Sequence, residues 1–101
     1  MTKQAVVGIV EKETPDGLIK EVQEKVTEVE IPSNAILCKV TYKLGMTINI
    51  GNSESVRCDV GVEIPCADDQ VDEAYTLIQE WVDDKLAEQV KMVKASFGVK
   101  A

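Results

Sequence analysis

Two long runs of alternating apolar and polar residues most constrain what this chain can fold into. From Ile36 to Ile50 every even position is apolar, and the alternation resumes on the even positions from Val56 to Cys66. A strict period of two is typical of a β-strand with one buried face. Between the runs lies Gly51-Asn52-Ser53, whose residues tolerate the positive φ angles of tight turns. The pattern predicts a β-hairpin over residues 35–66.

Charges and glycines predict the register of this hairpin. Directly opposed residues share one face of a sheet, so their numbers have an even sum. A sum of 106 opposes Lys43 to Glu63 as an ion pair and Gly45 to Gly61, whereas a sum of 104 does neither. We predict the sum of 106, in which the two glycines leave a bare patch of backbone that a ligand can approach.

Downstream of the hairpin the period changes to that of a helix. Apolar residues recur at spacings of three and four, as in an amphipathic helix: Val71, Ala74, Tyr75, Ile78, Val82, Leu86, Val90 and Val93. The end signals are Asp68 and Asp69 as N-caps, Asp72 and Glu73 in the first turn, and Gly98 as the stop. We predict a helix over residues 68–95 that covers the apolar face of the hairpin. Leu77, Trp81 and Met92 lie off its apolar stripe.

Residues 1–34 are compatible with two structures. Ala5 to Glu11 is a candidate strand, and Thr14-Pro15-Asp16 is a good helix start. The apolar residues that follow fit a helical stripe: Leu18, Ile19, Val22, Val26 and Val29. The same segment, after a Pro-Asp-Gly turn, could instead pair with Val6 to Lys12 as a second hairpin. We favour the helix.

Length and composition predict one acidic domain over residues 1–101. The class is α+β: an antiparallel hairpin or small sheet packed by a long C-terminal amphipathic helix. A chain of 101 residues buries a modest share of its surface, which makes a homo-oligomer plausible. We find neither an apolar stretch long enough to span a bilayer nor a signal-peptide cleavage site. Three cysteines without paired spacing favour a reducing cytoplasm.

The sequence lacks the residue patterns of the common enzyme classes. Histidine is absent, which excludes His-based triads and His zinc ligation, and no glycine-rich phosphate loop occurs. The cysteines lie on the buried face of the hairpin and are expected to be core thiols. Asp68-Asp69-Gln70 does not supply a calcium loop. We therefore expect no enzyme, with no catalytic, cofactor-binding or metal-binding residues.

Two surfaces remain as candidate binding sites. The polar face of the hairpin carries Lys39, Lys43, Asn49 and Arg57, which could hold single-stranded nucleic acid, although no aromatic residue faces outward there. The alternative is an ordinary solvated face, or one covered by the N-terminal segment. On the helix, Leu77 and Trp81 and the acidic column of Glu80, Asp84 and Glu88 could bind a protein. Trp81 could equally pack under the N-terminal segment.

The hairpin also carries a family resemblance. The stretch Tyr42–Arg57, followed by Asp59–Val62, resembles small uncharacterised bacteriophage proteins with the pattern Y-x-L-G-x-T-x-N-x-G-N-x-E-S. The resemblance implies a phage or prophage source and the host-cell cytoplasm. We therefore expect a phage accessory protein that acts as a homodimer and binds a protein partner such as a host or defence factor. The alternative is a single-stranded nucleic-acid-binding protein of phage replication or recombination. An exposed hairpin edge could also extend a sheet between subunits.

Overall fold

In the computed structural model, which describes residues 2–31 and 37–97, a four-stranded antiparallel sheet is packed on one side by a single long helix. The strands are β1 (Thr2–Glu13), β2 (Ile19–Ile31), β3 (Leu37–Gly51) and β4 (Glu54–Ala67). A 3-10 turn, Asp68–Gln70, leads into the helix α1, Val71–Ser96. The strand order is β2-β1-β4-β3, so β1 and β4 are central. The α+β class is confirmed, and the molecule is elongated, with extents of 56 × 22 × 16 Å.

The segment that we favoured as a helix is strand β2, so the second hairpin is the correct alternative. Thr14-Pro15-Asp16 forms the turn of this hairpin rather than a helix start: the Thr14 hydroxyl donates to the Asp16 carboxylate, and Gly17 closes the turn with φ +85°. The backbone N–H of Gly17 donates to the carbonyl of Thr14 at 2.9 Å. The Pro-Asp-Gly sequence therefore reverses the chain, as turn chemistry allows.

A bulge in β2 explains why its sequence resembles a helix. Val6 lies opposite Thr27 and Val7 lies opposite Lys25, which leaves Val26 as an extra residue. A bulge shifts the alternation by one position. The β2 residues that face α1 are therefore even-numbered before the bulge and odd-numbered after it. Val22, Val26 and Val29 consequently recur at spacings of four and three, although each belongs to a strand. Residues 32–34, the predicted end of this segment, lie outside the described residues.

The hairpin of β3 and β4 is confirmed, but its predicted register is wrong. Lys43 lies opposite Gly61 and Gly45 opposite Asp59, a sum of 104. Asn52 and Ser53 form a two-residue turn with φ of 55° and 62°, so the closing pair Gly51–Glu54 has an odd sum and one strand must bulge. The bulge falls on β3 beside Gly51, whose φ of +102° suits only glycine. A bulge on β4 would have produced the predicted register.

The core lies between α1 and one face of the sheet, with β4 at its centre. The six even-numbered residues of β4 from Val56 onward are at most 6% exposed: Val56, Cys58, Val60, Val62, Ile64 and Cys66. Ile78 and Val82 of α1 are fully buried against them. The predicted helical stripe is therefore the packed face, apart from Tyr75, which is 42% exposed. The predicted caps differ, because Gln70 is the N-cap residue of α1 and Asp68 and Asp69 belong to the 3-10 turn. Gly98, the predicted stop, lies outside the described residues.

Candidate functional site

The face of the sheet that points away from α1, called the open face below, carries an exposed apolar strip on the central strand β1. The strip consists of Ala5, Val7 and Ile9, and Val7 and Ile9 are 41% and 40% exposed. Their even-numbered neighbours Val6 and Val10 are buried under α1. β1 is thus apolar on both faces, whereas the described residues supply a helix for only one of them. Solvated sheet faces are normally polar, so this strip on a central strand is unusual; Ile19 and Leu37, also exposed on the open face, lie at strand ends.

A shallow groove of about 450 Å³ runs along this strip. Gly61 lies directly opposite Ile9 in the ladder and contributes no side chain. Thr41 and Lys43 of β3 form one wall of the groove, and Glu21 of β2 lies on the other side. The floor is therefore apolar and the rim is polar, which is the usual composition of a protein docking surface.

A row of carboxylates crosses three strands at one end of the groove. Glu21 of β2 lies directly opposite Glu11 of β1, which in turn lies directly opposite Asp59 of β4. Asp59 is paired with Arg57, but Glu11 and Glu21 form no salt bridge within residues 2–31 and 37–97. Like charges in directly opposed positions destabilise a sheet, so a cation brought by a partner would relieve the repulsion.

The predicted nucleic-acid residues lie on the open face, where Lys39 and Arg57 are paired with carboxylates and Lys43 forms no salt bridge within the described residues. Arg57 makes a two-pronged contact with Asp59, with Nη2 at 3.0 Å from Oδ1 and Nε at 3.2 Å from Oδ2, and this carboxylate raises the pKa of Arg57. Lys39 Nζ lies 3.1 Å from Glu63 Oε1. Asn49 is exposed beside the turn, opposite Ser55. Phosphate binding depends on unpaired cations, and this face offers few.

The bare glycine patch expected on this face is filled. Gly45 lies beneath the paired side chains of Arg57 and Asp59, which occupy the space that a Cβ would take. Gly61 lies beside the aliphatic stem of Lys43, whose Cγ is 3.3 Å from the position of an added Cβ. The prediction that Gly45 and Gly61 lie opposite each other and leave bare backbone for a ligand is wrong, because it depended on the register sum of 106.

Of the predicted protein-interface residues, those on the outer side of α1 are exposed. Glu80, Asp84 and Glu88 lie there, with Leu77 at 38% exposure. Glu88 is already engaged by Lys85, at 3.2 Å. The acidic column is therefore solvated, with one member paired.

Trp81, by contrast, packs on β1 under the N-terminal hairpin. Its six-membered ring lies over Gly8, filling the space that any Cβ there would need. Lys85 Nζ lies 5.6 Å from the ring centroid and 2.7 Å from Glu24 Oε2 of β2, and this carboxylate raises the pKa of Lys85. The expectation that Trp81 stands free as an interface anchor is thus replaced by the packed alternative.

Metal-ligand clusters and buried polar residues are absent from the described residues: no group of three or more carboxylates and cysteines is placed to hold a metal ion, and no polar or charged residue is buried. No helix in the described part of the chain is long and apolar enough to cross a membrane.

The cysteines have distinct environments that thiol chemistry can distinguish. Cys58 and Cys66 are buried, which raises the pKa of both thiols, whereas Cys38, opposite Cys66, is half-buried. The thiolate is the reactive form. We therefore expect the Cys38 thiol to react rapidly with an aromatic disulfide reagent at mildly alkaline pH. The other two should react fully only in denaturant. The Cys38→Ser variant should lose the rapid phase, and a rapid phase that persists in it would contradict this assignment.

Comparison with known proteins leaves the fold and the surface as the basis for function. No protein-family model matches the chain, and neither curated proteins nor solved structures match it.

The sequence analysis did not predict the apolar strip, although the sequence carries a signal for it. Ala5 to Val10 is apolar or glycine at every position. In a domain with one helix for one sheet, such a run leaves alternate residues uncovered.

Proposed function

We propose that this chain is a non-enzymatic accessory protein that binds a protein partner through the open face of its sheet. The observation that carries the proposal is the exposure of Val7 and Ile9 on a central strand, at the floor of a polar-rimmed groove. The resemblance of the hairpin to small bacteriophage proteins supports a phage source, in which case the partner is a host or defence factor in the host cytoplasm.

The surface defines the chemistry of that partner. The strip requires one or more apolar side chains, because water is displaced from Val7 and Ile9 when they are covered. The carboxylates Glu11 and Glu21 at the end of the groove require a lysine or arginine nearby. A partner with an apolar side chain flanked by basic residues satisfies both requirements, and the formal charge of −7 would speed its approach.

The test is quantitative capture from a bacterial lysate by the immobilised chain, followed by binding measurements with the purified partner. We expect the double substitution Val7→Ser and Ile9→Ser to weaken the affinity for that partner at least about tenfold, since apolar contacts at the centre of an interface carry much of its binding energy. The matched control is Leu77→Ser, which removes a similarly exposed apolar side chain from α1.

The control also tests the helix surface. Binding that survives the open-face substitutions but is lost with Leu77→Ser, or with charge reversal at Glu80 and Asp84, would move the site to α1 and contradict the proposal. Circular dichroism of each variant distinguishes lost binding from lost folding, because all the substituted side chains are exposed in the folded chain.

Single-stranded nucleic acid is the competing ligand, and a direct titration tests it. We expect a labelled oligonucleotide to show no saturable rise in fluorescence anisotropy at physiological salt, because Lys39 and Arg57 are already paired with carboxylates. Saturable binding that weakens with salt and with Lys43→Ala would replace the protein-partner proposal by the nucleic-acid one. The Lys91→Ala variant, which removes an exposed cation from α1, is the control.

A further inference from the structure

We propose that two copies of this chain join edge to edge along β3, in antiparallel orientation, to form one continuous eight-stranded sheet with both helices on the same side. β3 is an edge strand of fifteen residues with no neighbour on its outer side among the described strands. An unpaired edge of this length presents a row of backbone donors and acceptors that can pair with another strand. This inference uses a different surface from the proposed function and does not depend on it.

The two edges of the sheet differ in how well they are protected. β2 carries charges at six of its thirteen residues and a bulge at Val26, and both features discourage strand addition. β3 carries two charges in fifteen residues, and its ladder with β4 is regular from Leu37 to Asn49. β3 is therefore the edge that is open to pairing.

The two charges on β3, both lysines, do not block that edge. Lys39 turns back over β4 to reach Glu63 at 3.1 Å, and the stem of Lys43 covers Gly61 of the same strand. Edge lysines protect a strand when they project over its free side. Here both side chains lie on the inner side, over the ladder with β4.

The apolar layer under α1 is incomplete along β3. Val40, Tyr42 and Leu44 are only half-buried and Met46 is 44% exposed, in contrast to the fully covered row on β4. Tyr75 of α1, which packs edge-on against Tyr42 with ring centroids 5.7 Å apart, is itself 42% exposed. A second sheet and helix placed beside β3 would cover these side chains.

Surface area supports the same conclusion. A compact monomer of 11.1 kDa is expected to expose about 5,700 Å², whereas this chain exposes 6657 Å². The radius of gyration is 16.4 Å, against about 13 Å for a compact chain of this length. The excess area, about 1,000 Å², is close to the roughly 800 Å² per subunit that a stable interface buries.

The residues of β3 favour pairing with β3 of a second copy, and they favour one register for that pairing. Only even sums keep both apolar rows and both helices on one side of the joint sheet. If the numbers of opposed residues added to 86, Lys43 would lie opposite Lys43 of the second copy. If they added to 82, Lys39 would lie opposite Lys43 of the second copy. Both arrangements oppose like charges and are unfavourable. A sum of 88 pairs the whole of β3, with Leu44 opposite its own copy and Tyr42 opposite Met46.

The same arrangement provides room for the helices. α1 packs over β3 and β4, and adjacent strands lie about 4.8 Å apart. The two helices then run antiparallel at about 10 Å, a normal packing distance. Tyr75 would lie at this seam.

The first test is the molar mass in solution, measured by light scattering on a sizing column at low and high micromolar concentration. We expect the wild-type chain to approach twice its mass of 11.1 kDa at the higher concentration. Met46→Glu, which places a carboxylate in each copy at the seam, should return the mass to that of one chain. Met92→Glu is the matched control, because Met92 is 48% exposed on α1 and far from β3, and it should behave as wild type.

The second test fixes the register by cross-linking. Leu44→Cys should form a disulfide-linked dimer on mild oxidation, because directly opposed strand residues lie within disulfide reach. Thr47→Cys should not, because each Thr47 lies opposite Thr41 of the other copy. A wild-type mass of one chain at high micromolar concentration would overturn the inference. So would a dimer that survives Met46→Glu in a folded variant, or cross-linking through Thr47→Cys in preference to Leu44→Cys.

Discussion

Replacing Ile78 by alanine should lower the free energy of unfolding by about 2–5 kcal/mol, the largest effect expected from a single substitution in this chain. Ile78 is fully buried at the centre of the face of α1 that packs on β4. Truncation removes its apolar transfer energy and leaves a cavity between the helix and the sheet, which the neighbouring side chains can only partly fill. This loss is a large fraction of the total stability of about 5–15 kcal/mol that is typical of small domains.

Urea denaturation followed by circular dichroism measures this loss. The control is Leu77→Ala, one residue away on the same helix but 38% exposed, which should cost about 1 kcal/mol or less. Ile78→Val should lie between them, at about 0.5–1.5 kcal/mol. All variants should be compared at one chain concentration, since the proposed dimer would make unfolding concentration-dependent. Equal losses for Ile78→Ala and Leu77→Ala would mean that α1 presents a different face to the sheet.

The fold could be predicted from the sequence where the spacing of apolar residues stays the same along an entire strand or helix. The even-numbered apolar residues of β3 and β4 and the three-and-four spacing of α1 each describe one face of one element, and all three elements form as predicted. β2 could not be assigned in this way, because the bulge at Val26 changes the phase of its alternation in the middle of the strand. The resulting spacing of apolar residues is indistinguishable from a helical stripe at the sequence level.

The register error has a similarly local cause. Lys43–Glu63 and Gly45–Gly61 seemed a favourable pair of contacts, but an exposed ion pair contributes only a few tenths of a kcal/mol to about 1 kcal/mol. The turn outweighs it, because Asn52, Ser53 and Gly51 all adopt positive φ and place the bulge on β3. Lys39 then meets Glu63 instead, so the charge pairing is recovered diagonally in a different register.

The candidate site could be predicted only in part, because the exposure of a strand depends on which faces of the sheet are covered by a helix. Parity placed Lys39, Lys43, Asn49 and Arg57 on one face, and the structure keeps them there. Their pairing with carboxylates could not be predicted without the register. The apolar strip of β1 depends on the number of layers: Val7 and Ile9 are exposed because β1 is central in the sheet and the helix covers its other face.

Gly8→Ala should lower the free energy of unfolding by about 1–3 kcal/mol. The added methyl group would occupy space that the six-membered ring of Trp81 fills, so the indole must move away from β1. Its contacts with the strand and the position of Lys85 over the ring depend on this placement. A clash with a rigid aromatic ring cannot be removed by a small movement of a flexible side chain.

Gly61→Ala is the matched control, since Gly61 pairs with Ile9, the residue next to Gly8, and is also in a central strand. Its new methyl group would meet only the stem of Lys43, a flexible side chain with its Cγ at 3.3 Å. The cost should be small, or the change slightly stabilising, because alanine loses less conformational entropy on folding than glycine.

A double-mutant cycle with Trp81→Ala tests the mechanism itself. If the indole is what excludes a side chain at position 8, Gly8→Ala should cost little once Trp81 is gone, with a coupling of about 1–3 kcal/mol between the two substitutions. A cost for Gly8→Ala that is unchanged in the Trp81→Ala background would mean that the backbone of β1, and not the tryptophan, requires glycine. Trp81 would then be free of β1, and its role as an exposed interface residue would have to be considered again.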